Sequence, residues 1–347
     1  MNQDIAKQPP LFKKAYTNIV KALCVFLMFA LHLIKREWLI YPESIIDFKV
    51  HGEYLSFILS RTGDICIGVF AFITGYGWAK KHYRINYKRI ANIYISYWVT
   101  LLLFNWPAKL ILTYLDKRVL FSEGTEFSLY KILVGIIGIT SQASTFCWYI
   151  FFFCLVSMTY PLLERFILLT GIFNKKGLIG GVLKVVIICA VSIATRLINN
   201  KMYGLGCYGS LIHGVMYHYF TWVPCVLLGI CARHHSWLEK IDVALHHNTI
   251  VGVVIPIAVI LIKVILAELL HFSSNIDSLF IIPFCYGLIV ISSVISKYRM
   301  LFNILNNIGQ LSLYMWLAHA VLLLDIPELF FCMLRFPVLI VGSAVVI

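Results

Sequence analysis

Charge is scarce in this chain of 347 residues: Asp, Glu, Lys and Arg make up only 13% of it, and only 16 residues are acidic. Ordinary soluble domains carry about 25% charged residues, so the shortage excludes a soluble enzyme and a disordered regulator. The ten cysteines are scattered singly and never form C-x-x-C, which excludes a disulfide-rich secreted module and a zinc site of that type. No H-E-x-x-H occurs either, and the adjacent pairs His234–His235 and His246–His247 point apart on a helix, so no metal site is expected. The longest polar loop, near 36–61, is too short to fold alone. No small-residue cleavage site follows the polar start MNQDIAKQPPLFKKAY, so the first apolar run is expected to be a retained helix and not a signal peptide. Internal repeats and low-complexity tracts are missing as well.

Apolar sequence fills the space. Hydrophobic residues reach 61% and the mean hydropathy is +0.86. They come in continuous runs of about 20 residues, the length that crosses roughly 30 Å of hydrocarbon as a helix, and not in alternating ten-residue strands. The expectation is an all-α, polytopic integral membrane helix bundle without a separate soluble domain, formed by residues 1–347 as one unit behind a cytoplasmic tail, 1–16. Ten spans are expected, near 17–35, 62–79, 91–113, 146–163, 178–195, 212–232, 249–270, 279–296, 306–324 and 329–347. The short apolar stretch 131–145 reads as interfacial or re-entrant. The formal net charge of +13 could mark a nucleic-acid binder, but in such a chain it reflects basic cytoplasmic loops. With the N-terminus inside, the cytoplasmic segments hold 15 Lys and Arg against 10 outside, which favours an N-in, C-in bundle.

Ionisable residues inside apolar spans are costly and mark function by default. The first span carries Lys21 and His32. Eleven residues apart, they lie about 20° from eclipsed on one helix face and roughly 16 Å apart along it, with Asn18, Val25 and Met28 on the same face. Lys21 either snorkels to the inner surface or belongs to a polar path. His32 is either a neutral histidine bonded between helices or a general base. The ninth span holds a second intramembrane histidine, His319, near Ser312 and Tyr314. Gly68, Gly75 and Gly77 permit close helix approach or a local break. The stretch KKHYRINYKRIANIYISYW is a positive-inside loop with an aromatic belt, or a clamp for a phosphorylated ligand. Lys184, Lys263, Glu268 and Arg335 are further candidates, three of the four near enough to expected helix ends to snorkel.

Taken in order, KALCVFLMFALH, VFAFITGYG, the basic loop before an aromatic third span, CWYIFFF and IGQLSLYMWLAH resemble the acyltransferase-3 family over nearly the whole chain. The family usually has Arg where this chain has Lys21, Asp at Asn18, Ser-Gly at Thr74-Gly75 and Tyr at Trp316. The resemblance implies a membrane O-acyltransferase that moves acetyl from cytosolic acetyl-CoA to a hydroxyl of an extracytoplasmic glycan, free or lipid-linked. It implies that Arg84, Lys88 and Arg89 hold the CoA phosphates with Lys21 at the inner mouth, that His32 removes the hydroxyl proton or carries the acetyl group, and that His319 lines the same cavity. Trp148 and Asn18 are the expected substrate-binding residues. No metal and no nucleic acid enter this reading. A composition rich in Ile, Lys, Asn, Phe and Tyr suits a low-GC bacterium, and so its cytoplasmic membrane. A transporter or flippase of a lipid-linked saccharide, a glycan polymerase and a non-catalytic sensor are the competing readings; acetyl-CoA dependence separates them.

Overall fold

Helix follows helix along the chain in the computed structural model, which describes residues 12–40, 49–50, 53–54, 61–79, 85, 87–105, 107, 136–138, 148–169, 178–204, 211–270 and 277–320. Among the described residues are eleven α-helices: α1 (Lys14–Ile40), α2 (Ile65–Trp78), α3 (Tyr87–Thr100), α4 (Trp148–Leu169), α5 (Leu178–Gly204), α6 (Leu211–His234), α7 (Trp237–Ala244), α8 (Thr249–Leu270), α9 (Asp277–Ile295), α10 (Arg299–Gln310) and α11 (Ser312–Ala320). A 3₁₀ turn, Arg61–Asp64, leads into α2, and a π-type turn, Leu101–Asn105, ends α3. Among the described residues, the one strand pairing is a two-residue antiparallel match of Lys49–Val50 with Glu53–Tyr54.

Among the described residues two helices, α8 and α9, are long and apolar enough to cross a membrane by length and composition; α2 and the 180–195 part of α5 are shorter apolar helices. The apolar window of α8 is only 22% buried. Its Ile250, Val254, Ile257, Leu261 and Ile265, spaced three or four apart, form one outward stripe, each more than half exposed.

The ninth expected span, 306–324, is not one helix. α10 ends at Gln310 and α11 starts at Ser312, because the Leu311 N–H closes a tight turn onto the Asn307 and Ile308 carbonyls. α10 is amphipathic: Leu305, Ile308 and Gly309 are buried, whereas Met300 and Asn303 lie outward. The Asn18 side-chain amide donates to Asn306 Oδ1 at 2.9 Å, fixing α10 across α1. The tenth expected span, 329–347, and most of the 131–145 stretch lie outside the described residues. The segment after α6 forms the short helix α7, whose buried Glu239 accepts from the Tyr76 hydroxyl at 3.1 Å.

At the core α2 crosses α6 with backbone almost on backbone. A Cβ at Gly75 would run into the Val226 carbonyl, and one at Gly229 into the Phe72 carbonyl. Small residues at such crossings bring two helices together without side chains between them.

Candidate functional site

One face of α1 sets the site. Val25 and Met28 are fully buried on it, while Lys21 and His32 stay partly exposed above and below them. His32 meets His319 of α11, ring centroids 5.2 Å apart and planes tilted by 36°. His319 is fully buried, and its Nδ1 lies against the Trp316 carbonyl one turn earlier. A carbonyl only accepts, so Nδ1 carries the proton, and in the neutral ring Nε2 is the basic nitrogen. The two histidines placed on separate spans by sequence are therefore brought together.

A cavity of about 500 Å³ is walled by α1, α2, α3, α4 and the α10–α11 corner; contrary to expectation His319 does not line it, nor does His32, because Trp316 stands between. Lys14 and Lys21 from α1 and Arg89 from α3 line it, and among the described residues no acidic side chain does. The Arg89 guanidinium lies 5.5 Å over the Trp78 ring and 5.4 Å over Phe153, which aims a long side chain that would otherwise be free to wander. The walls also carry the aromatic residues Phe70, Tyr149 and Trp316. Trp316 borders both parts of the site, since it lines the cavity and its ring stands edge-on to His319 at 5.7 Å. Thr74 also lines the cavity, with its hydroxyl donated back to the Phe70 carbonyl at 2.8 Å. Such a chamber suits an elongated ligand with an anionic head and an uncharged reactive end.

The other expected site residues divide. Lys88 is exposed on α3 and does not line the cavity, and Arg84 lies outside the described residues. Trp148 stacks face to face on His218, centroids 4.0 Å apart and planes 12° apart, and is not a lining residue; its neighbour Tyr149 takes that place. Asn18 serves the α1–α10 contact and not the cavity. Tyr149 was not singled out in the sequence, where only its position beside Trp148 in CWYIFFF could have pointed to it. The paired histidines have separate partners: His234 Nε2 is 3.3 Å from Glu164 Oε1, Lys184 Nζ donates to His235 Nε2 at 2.8 Å, and His247 bonds Asp242.

Lys263 does not snorkel. Its ammonium is buried between two carboxylates, 2.5 Å from Asp64 Oδ1 and in contact with Asp277 Oδ1, tying the 3₁₀ turn, α8 and α9 together. Lys184 is likewise buried, on His235.

Comparison with known protein families, with curated proteins and with solved structures finds no match to this chain.

Proposed function

We propose that this chain is a membrane O-acyltransferase of about ten spans, N- and C-termini cytoplasmic, that transfers acetyl from cytosolic acetyl-CoA to a hydroxyl of an extracytoplasmic glycan in a bacterial cytoplasmic membrane. The observation that carries the reading is the single cavity that joins Lys14, Lys21 and Arg89 to Trp316, and through Trp316 to the His32–His319 pair. Three cations, with no carboxylate beside them among the described lining residues, suit the phosphates of CoA. Lys21 and His32 are roughly 16 Å apart along α1, which leaves room for an extended pantetheine arm between phosphates and thioester. The outward stripe of α8 supports a lipid setting: five aliphatic side chains in one exposed row suit hydrocarbon and not water.

In this reaction the acceptor hydroxyl gives its proton to His32 while its oxygen bonds to the thioester carbonyl carbon. The C–S bond then breaks, and the departing sulfur takes the proton back from His32. Acetyl-CoA and alcohol become an ester and CoA thiol, with no net proton gained or lost. His319 orients His32 from 5.2 Å away.

The test is NMR of the surface polysaccharide from a deletion strain, a complemented strain and a strain carrying His32→Ala. An O-acetyl resonance should vanish in the first and third and return in the second. In purified membranes the variant should transfer acetyl about 10²–10⁴-fold more slowly, the usual weight of a general base. An unchanged acetyl pattern with trapped or shortened polysaccharide would overturn the proposal in favour of a transporter or polymerase.

A further inference from the structure

α10 leaves part of its apolar face uncovered. At 100° per residue, Asn303, Asn306, Asn307 and Gln310 gather within an arc of about 100°, and apolar residues fill most of the rest. Leu305, Ile308 and Gly309 bury one part of that apolar face, with Gly309 against the Asn18 carbonyl of α1. Met300, Leu301 and Ile304 make up the other part and stay exposed, as do Tyr298 before the helix and Leu311 after it; Met300 is 79% and Tyr298 63% exposed. The helix also begins at a telling depth. Its first residue, Arg299, comes four positions after Ile295, the last residue of α9, which is apolar and long enough to span a membrane.

Cations flank the strip. Lys297 and Arg299 are exposed at the start of α10, and exposed Lys13 joins them from the start of α1. The Lys13 ammonium lies 5.6 Å over the Tyr16 ring, and Tyr16 meets Ser293 and Ser296 around the end of α9. No Asp or Glu occurs in 12–36 or in 278–324. The acidic residues of α7, which also packs on α9, are turned to other partners: Glu239 accepts from Tyr76, and Asp242 accepts from Tyr286 and bonds His247. Exposed aliphatic side chains along one side, amides along another and cations at one end are the pattern of a helix lying in a membrane surface. Water alone does not suit the strip, and hydrocarbon alone does not suit the cations.

We propose that α10 lies in the plane of the cytoplasmic leaflet and docks on anionic lipid, with Met300, Leu301 and Ile304 among the upper acyl chains and Lys13, Lys297 and Arg299 on the headgroup phosphates. This rests on the membrane setting of the reading above and not on its chemistry. A single basic residue close to an anionic leaflet gives about a fivefold preference for it. Gln310, at the far end of the same helix, lines the cavity, so the docked lipid borders the cationic chamber.

The test uses the full chain in nanodiscs of phosphatidylcholine and phosphatidylglycerol, with a nitrobenzoxadiazole dye on Ile304→Cys or on its neighbour Asn303→Cys, 100° around the helix. The unsubstituted chain, put through the same labelling, gives the background from native cysteines. The Ile304 dye should emit at shorter wavelength and the Asn303 dye as in water. Spin-labelled phosphatidylglycerol should quench the Ile304 dye with an association about fivefold or more above that of spin-labelled phosphatidylcholine. The triple variant Lys13→Gln, Lys297→Gln, Arg299→Gln should bring that ratio to about one, the expectation once the cations are gone. An Ile304 dye that emits as in water would overturn the proposal and leave the patch to a soluble acidic partner. Equal quenching by the two lipids in the unmutated patch would overturn it too. A chain that enters no nanodisc and stays soluble without detergent would overturn the membrane reading together with this one, whereas absence of acetyl transfer would overturn the enzymatic reading alone.

Discussion

Replacing Lys263 with alanine is expected to destabilise the folded chain by about 3–5 kcal/mol, the cost of breaking a buried ion pair from one side. The side chain is 4% exposed and the carboxylates it joins are 15% and 2% exposed, so the cluster is largely shut away from solvent. Removing the ammonium leaves Asp64 and Asp277 facing each other in the interior, where like charges repel with little screening. The three residues come from the 3₁₀ turn before α2 and from α8 and α9, so the loss would loosen three elements at once. Thermal unfolding of the purified chain in detergent measures this directly. The triple variant Lys263→Met, Asp64→Asn, Asp277→Asn should recover much of the loss, because it removes all three charges together. Equal stability of Lys263→Ala and wild type would show that the cluster is not an ion pair in solution.

Gly75→Ala is the second large effect. One methyl group there would overlap the Val226 carbonyl, a backbone atom on a helix that is itself seated by Gly229 against Phe72. Ordinary overpacking costs about 1–3 kcal/mol because neighbouring side chains can shift. Here no side chain stands between the helices to give way, so the loss should exceed that range and appear as aggregated protein on size exclusion. Gly77→Ala, two residues on, supplies the comparison: among the described residues nothing lies within 4 Å of its added Cβ, and it should not lower stability. Equal behaviour of the two variants would remove the close crossing from the account of the fold.

Helical character was legible in the sequence wherever an apolar run of sufficient length met few charges, as in α8 and α9. The spacing of Lys21 and His32 likewise placed both on one face of α1, because a helix has a fixed turn. What escaped was decided between elements. Whether Lys263 reaches solvent depends on Asp64 and Asp277, respectively 199 and 14 positions away in the chain, and no local pattern encodes that meeting. Trp148 and Tyr149 look equally suited to a ligand as letters; the direction of α4 gives one to His218 and the other to the cavity. The break at Leu311 was hidden because Ile308, Gly309 and the apolar residues of α11 read as one run, although a face rich in asparagine already ran through α10.

That break has a mechanical consequence. α11 carries Trp316 and His319 on nine residues, and α10, which precedes it, is fastened to α1 by the Asn18–Asn306 bond and by the Asn18 carbonyl against Gly309. The histidine pair thus takes its alignment from a strap across the helix that bears His32, while α8, with its outward stripe, packs mainly on α9. Through Lys263, however, α8 is also tied to the 3₁₀ turn, which packs on α1. On the membrane reading proposed above, a bilayer that bends α8 would therefore act on His32 chiefly through α1 and less through the strap that carries His319.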